Sequence, residues 1–167
     1  IGILRMLPNI SIVCPCDQLE VKSAIWAALN QNGPVYIRIG KKGEPRIHTK
    51  EPLLTIGKSI TIREGKDFCI LSTGNIMTMA LDVADGLVKS GIDARVESFH
   101  TMKPLDQDLL TDLFKNYRAV VTIEEHSLIG GLGSAIAEWM VDHGHTNTRL
   151  LRFGTRDEFL PYVGSQN

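Results

Sequence analysis

The chain predicts an α/β fold: a Rossmann-like α/β/α domain of three layers, preceded by an incomplete strand, helix, strand unit. Three features of the sequence point there. Short apolar runs of strand length recur, among them Val35 to Ile39, Phe68 to Leu71 and Ala119 to Ile123. Between such runs lie stretches with helical apolar spacing, each about 10 to 15 residues long. Polar turns rich in glycine separate the two kinds. Alternation of this sort belongs to a sheet covered by helices on both faces.

Taken in order, Ile10 to Val13 is a short apolar run ended by Pro15, suited to a buried parallel strand. Asp17 stands at a helix N-cap position with Glu20 three residues on, a D-x-x-E variant of the capping box. Leu19, Ala24, Ile25, Ala28 and Leu29 continue that helix until Asn32, Gly33 and Pro34 stop it, and Val35 to Ile39 is the next buried strand. These pieces make one right-handed crossover unit. Beyond a polar stretch, Ser59 to Arg63 alternates polar and apolar residues, the run EGKD at 64–67 turns the chain, and Phe68 to Leu71 follows, so that a hairpin of these two strands is expected. Ile76, Met79, Ala80, Val83, Ala84, Leu87 and Val88 keep helical spacing, with Gly91 as the stop. Ala94 to Phe99 is a strand, Leu105 to Phe114 a short helix, Ala119 to Ile123 a strand, Leu132 to Met140 a helix and Leu150 to Phe153 a strand. Thr155 with Glu158 resembles one more capping box, leading into a final helix through Phe159, Leu160, Tyr162 and Val163.

The organisation that results is a unit at residues 1–42, a linker at 43–52 and the α/β domain at 53–167. A unit of about 40 residues cannot bury both faces of its sheet alone. The expectation is that it is a remnant whose remaining part lies before Ile1 or on another chain, leaving exposed apolar surface and self-association. Position 1 is not a methionine, which fits a processed product or a fragment.

Composition narrows the function classes. Of 167 residues, 43% are hydrophobic and 22% charged, and 18 Lys+Arg against 19 Asp+Glu leave a net charge of -1. That balance argues against a partner of nucleic acid or an anionic membrane. No apolar run approaches the roughly 20 residues a bilayer span needs, and the start lacks a signal-peptide pattern, so a cytoplasmic location is the expectation. Three cysteines cannot build a disulfide framework. Cys14 and Cys16, with no histidine partner nearby in sequence, are expected as buried small hydrophobes, and no metal site is assigned.

The sharpest cluster runs from Thr122 through Glu124, Glu125 and His126 to Gly130, Gly131, Gly133 and Ser134, at a strand end that opens a helix. In open α/β sheets ligands bind there, because the first helical N–H groups are free. The spacing GGLGS is neither a dinucleotide fingerprint nor a P-loop. The loop is therefore either an anion or interface site or, the favoured alternative, a tight turn whose glycines let helix and strand approach. Glu124, Glu125 and His126 are candidates for acid, base, interface or loop-orienting roles. His143, Gly144 and His145 suit a basic C-terminal helix turn with a glycine cap better than a metal hook. Met77, Met79 and Met102 fit core or edge positions.

The order of these pieces resembles the last third of transketolase-like thiamine diphosphate enzymes. LPNISIVCPCD at 7–17 with Glu20, and GPVYIRIG at 33–40, resemble the end of the pyrimidine-binding domain; EGKD at 64–67, STG at 72–74, KPLD at 103–106 and TIEEH through GGLGSA at 122–135 resemble the C-terminal domain. TIEEH leans towards transketolases, with deoxyxylulose phosphate synthases as the nearest competitor. The resemblance implies a five-stranded, mostly parallel mixed sheet with Ser59 to Arg63 antiparallel. It implies that the intact enzyme moves a two-carbon ketol unit between sugar phosphates, using thiamine diphosphate and Mg²⁺, as a homodimer. The activating glutamate and the metal-binding GDG motif of the family are not in this chain, so no catalytic residue is carried over, no cofactor is expected on the chain alone, and it is expected to be inactive alone. Lys41 stands where transketolases usually have an arginine that binds the sugar phosphate; lysine keeps the charge and loses the bidentate fork.

Overall fold

The computed structural model describes residues 1–41 and 43–159. The chain runs α1 (Gly2–Arg5), β1 (Ser11–Val13), α2 (Gln18–Leu29), β2 (Val35–Ile37), β3 (Ile60–Arg63), β4 (Phe68–Thr73), a 3₁₀ turn (Gly74–Ile76), α3 (Met77–Val88), β5 (Ala94–Ser98), β6 (Thr101–Lys103), α4 (Gln107–Asn116), β7 (Ala119–Ser127), α5 (Leu132–Asp142) and β8 (Arg149–Thr155). The helix expected after Thr155 falls mostly on residues 160–167, outside the described residues.

The main sheet has five strands in the order β3-β5-β4-β7-β8, all parallel except β3. Period-two alternation sends β4 side chains to opposite faces. Cys69 and Leu71 join Leu110, Leu113, Phe114, Leu132, Ile136 and Trp139 beneath α4 and α5. Ile70 joins Met77, Ala80, Ala84, Val96, Val121 and Ile123 beneath α3. The three layers follow from that division.

One expectation is corrected. β3 does not form a hairpin with β4; it pairs antiparallel with β5. The turn at 64–67 is held by Asp93, whose carbonyl accepts from Lys66 N–H at 3.1 Å and Asp67 N–H at 2.9 Å. This places β3 on the far side of β5, where the buried Glu97 carboxylate accepts from Ser59 Oγ (2.9 Å), Thr61 Oγ1 (2.8 Å) and Arg95 Nε (2.6 Å). Local turn signals do not reveal such a cross-strand network.

The N-terminal unit packs on the main domain. A strand absent from the sequence expectations, β6, pairs antiparallel with β1 and completes a second sheet, β2-β1-β6. Ile12 and Cys14 enter the same core as Phe99 and Met102, while Val13 packs with Ala24 and Leu54. The linker is tied down as well: Ser23 Oγ donates to Pro52 O at 2.7 Å, and Lys22 pairs with Glu51 at 2.6 Å.

The caps expected for α2 and α5 are present, whereas Thr155 ends β8 and Glu158 N–H donates to Arg156 O. Asp17 Oδ1 accepts from Leu19 and Glu20 N–H at 3.0 and 2.8 Å. Glu20 completes a shifted box, accepting from Cys16 N–H at 2.7 Å instead of from the N-cap amide. At the end of α5, Gly144 takes φ +72° and His143 and His145 stack on Trp139 with ring centroids 4.8 and 5.0 Å apart. Met77 and Met102 are core residues, and Met79 lies on the exposed side of α3.

Candidate functional site

β7, between β4 and β8, hands the chain to α5 through residues 128–131, so the glycine loop sits at the C-terminal edge of the parallel strands. Its architecture starts with Glu124. This buried carboxylate accepts from Leu132 N–H at 2.6 Å and Gly133 N–H at 2.8 Å. The first amides of α5, which would draw an external anion, already hold an internal one. Burial raises the Glu124 pKa, and the two N–H donors, His126 and Arg152 recover only part of that rise.

Each loop glycine has its own cause, and only that of Gly131 is this carboxylate. A Cβ on Gly131 would lie 2.0 Å from Glu124 Oε2, and one on Gly133 would lie 2.8 Å from Thr122 Oγ1 and from Arg152 Cδ. Gly130 takes φ +78°. Ser134 stitches the turn, its Oγ donating to Leu128 O at 2.7 Å and accepting from Gly130 N–H at 3.0 Å.

On its outer side the loop holds the N-terminal unit. His126 Nε2 lies 3.4 Å from Gly2 N–H, and its Nδ1 lies 2.9 Å from Ser127 O, an arrangement that fits a neutral ring donating through Nδ1. Arg5 donates to Gly130 O at 3.2 Å and pairs with Glu138. Arg38, just past β2, reaches Glu125 at 3.2 Å. Glu125, His126, Gly130, Gly131, Gly133 and Ser134 thus come together in one loop. Lys41 is exposed, and its backbone N–H donates to Glu44 Oε1 at 3.0 Å. Arg38, Arg5 and the capping role of Glu124 were missed from sequence; only Glu124 carried a signal, as a carboxylate eight residues before the helix.

The cysteines are buried, and burial pushes the Cys14 thiol up to about 11 and raises those of Cys16 and Cys69 as well. No helix among the described residues is long and apolar enough to cross a membrane.

Fold and loop together define a helix-covered α/β domain whose loop at the strand ends seats a preceding structural unit. The chain belongs to the transketolase family, for the family described as "Transketolase, C-terminal domain" matches residues 57–166. A putative transketolase C-terminal section of Methanocaldococcus jannaschii is 36% identical over 161 residues, covering 95% of this chain and 50% of that protein. A 6-deoxy-6-sulfo-D-fructose transketolase subunit of a Clostridium species is 38% identical over 159 residues (95% and 49%). A 1-deoxy-D-xylulose-5-phosphate synthase of Lysinibacillus sphaericus is 34% identical over 165 residues (97% and 26%). A solved structure titled "Split gene transketolase, inactive beta4 tetramer" superposes with a TM-score of 0.88 at 36% identity, covering 93% of this chain and 52% of that one. The chain spans about half the length of the two transketolase relatives and about a quarter of the synthase.

Membership implies thiamine diphosphate. The residues described here do not fit that group: the sequence has no GDG triplet, and the glycine-loop amides that suit a diphosphate are filled by Glu124.

Proposed function

We propose that this chain is the C-terminal section of a cytoplasmic transketolase that needs thiamine diphosphate and Mg²⁺ and transfers a two-carbon ketol unit between sugar phosphates. In this proposal residues 1–42 close a pyrimidine-binding domain, 43–52 link it, and 53–167 form the C-terminal domain. The chain supplies structure and subunit contacts; cofactor chemistry belongs to the remaining domains or a partner subunit, within a homodimer of the whole. The loop from Glu125 to Ser134 is an interface element, and Lys41 offers a positive charge to the sugar phosphate.

The observation that carries the sectional role is the outer face of α2. Ile25, Trp26 and Leu29 are 45%, 59% and 70% exposed, and Tyr36 on the neighbouring strand is also uncovered. An apolar face of this kind is a surface for association. The relatives of half-length proportions support the same reading.

The test mixes this chain with a complementary thiamine-binding section, thiamine diphosphate and Mg²⁺, and follows a ketose phosphate donor. Ketol transfer by the mixture and none by the chain alone is the expected result. Turnover by the chain alone overturns the proposal. A deoxyxylulose phosphate product instead selects the synthase alternative, to which relatives of 34% identity belong. No complex and no turnover leaves a stand-alone binding module.

A further inference from the structure

The folded linker brings His48 to the start of α2, beside two residues of the CPCD segment, and this cluster lies outside the matched family region. Cys16 Sγ, a Glu20 carboxylate oxygen and a His48 ring nitrogen all lie within 4.8 Å of one another. Cys16 and Glu20 are buried, and the His48 side chain is 10% exposed. Two of these groups are aimed at each other with nothing between them. Glu20 Oε1 and His48 Nε2 are 3.6 Å apart, and each is buried without a hydrogen-bond partner.

The surroundings fix which atoms face inward. Glu20 Oε2 is occupied by Cys16 N–H, so Oε1 is the oxygen left over. His48 Nδ1 lies 3.2 Å from Asp17 Oδ2, which also accepts the His48 backbone N–H at 2.8 Å. With the Nδ1 proton directed to that carboxylate, Nε2 presents a lone pair towards a carboxylate oxygen. Two acceptors face each other in a buried space, which is unfavourable unless a proton or a metal cation stands between them. A histidine oriented by a carboxylate through its other nitrogen is the usual support of a metal-bound imidazole. The buried Ser98 hydroxyl lies beside both Cys16 and Glu20, at the edge of the same space.

We propose that Cys16, Glu20 and His48 bind one zinc-class divalent cation, with Asp17 orienting His48 and a water beside Ser98 in the fourth position. Sulfur, nitrogen and oxygen donors in one tetrahedral shell suit a borderline-soft ion such as Zn²⁺ and exclude Mg²⁺ and Ca²⁺, which take oxygen ligands. Ligand atoms about 3.3–3.8 Å apart surround a tetrahedral zinc, so separations of up to 4.8 Å contract by at most about 1.5 Å on binding. The cation staples the linker at His48 to the first turn of α2 and so holds the N-terminal unit to the domain.

The experiment uses the full chain without a metal-binding tag. Metal content is measured by mass spectrometry, and the chelator-stripped protein is titrated with Co²⁺ while its visible and near-ultraviolet spectrum is followed. One equivalent bound, with intense tetrahedral bands and a thiolate-to-cobalt band, is expected. Cys16→Ser should abolish the thiolate band, His48→Gln should weaken binding at least tenfold, and Zn²⁺ should raise the Tm of the wild type. Substoichiometric or purely octahedral cobalt in the wild type overturns the site and leaves a proton between Glu20 and His48. Binding unchanged in both variants overturns it too, placing the metal on other residues such as His143 and His145. Should neither variant fold, the wild-type spectrum decides alone, since an absent thiolate band refutes the Cys16 ligand.

Discussion

Asp17 and Glu124 each cap a helix with a buried carboxylate, and the two caps behave in opposite ways. Asp17 caps α2 from within its own turn and also gathers the linker, accepting from Leu19, Glu20, Ile47 and His48 N–H. Glu124 caps α5 from the preceding strand, across the whole glycine loop, and accepts from two amides. Burial raises both carboxyls. At Asp17 the backbone donors outweigh it and hold the pKa below its ordinary value; at Glu124 they do not, and the pKa stays raised. A buried cap is a net stabilising anion only when its donors outnumber what burial removes. The nonlocal cap does a different job, fixing the loop that holds His126, Gly130 and, through them, Gly2 and Arg5.

The comparison breaks first at Asp17. Asp17→Ala removes the acceptor of four amides, two of them in the linker, and should cost roughly 3–5 kcal/mol, from a lost cap plus buried N–H groups left unpaired. Denaturant unfolding in a chelating buffer measures it without a metal contribution. A cost under about 1 kcal/mol would mean that the linker does not depend on this residue.

Gly131 comes next. Gly131→Ala places a methyl 2.0 Å from Glu124 Oε2 and must displace the cap, for an expected loss of about 2–3 kcal/mol. The same change at Gly86, in α3 with nothing within 4 Å of the new Cβ, should stabilise by up to about 1 kcal/mol. Equal effects at the two positions, read as Tm, would refute the claim that Gly131 is glycine in order to admit the carboxylate.

The smallest effect sharpens the comparison by its pH dependence. Glu124→Gln keeps one acceptor and turns an NH₂ towards the other amide, costing about 1–2 kcal/mol near neutral pH. Because the folded pKa of Glu124 is raised, its protonation contributes stability that is fully present below the unfolded value of about 4.3 and is lost as pH rises through the folded pKa. The gap between wild type and Glu124→Gln should therefore widen on acidification across that window. A gap that narrows would reverse the assigned sign.

Much of the architecture was legible because its causes are local. Asp17 with Glu20, the stop at Asn32 to Pro34, the helical apolar spacing of 76–88 and the fully apolar run at Phe68 each act over one or two turns of chain. The glycine loop was legible as a tight turn for the same reason, but not its cause, since Glu124 reaches eight residues forward. β6 was invisible: three residues, Thr101 to Lys103, carry no period, and they become a strand only because β1 supplies hydrogen-bond partners. The hairpin expected between β3 and β4 failed because Glu97 and Asp93, on another strand and its entry turn, decide where β3 lies.

By itself the sequence determined the layer architecture, the helix ends and the family resemblance, all of which rest on short-range spacing of apolar, capping and turn residues. Tertiary structure alone decided which strands are neighbours, that the N-terminal unit shares a sheet with Thr101 to Lys103, and that His48 meets Cys16 and Glu20. The physical reason is the same in each case. These pairings bring together groups dozens of residues apart, and spacing along the chain carries no record of a partner that only folding brings near.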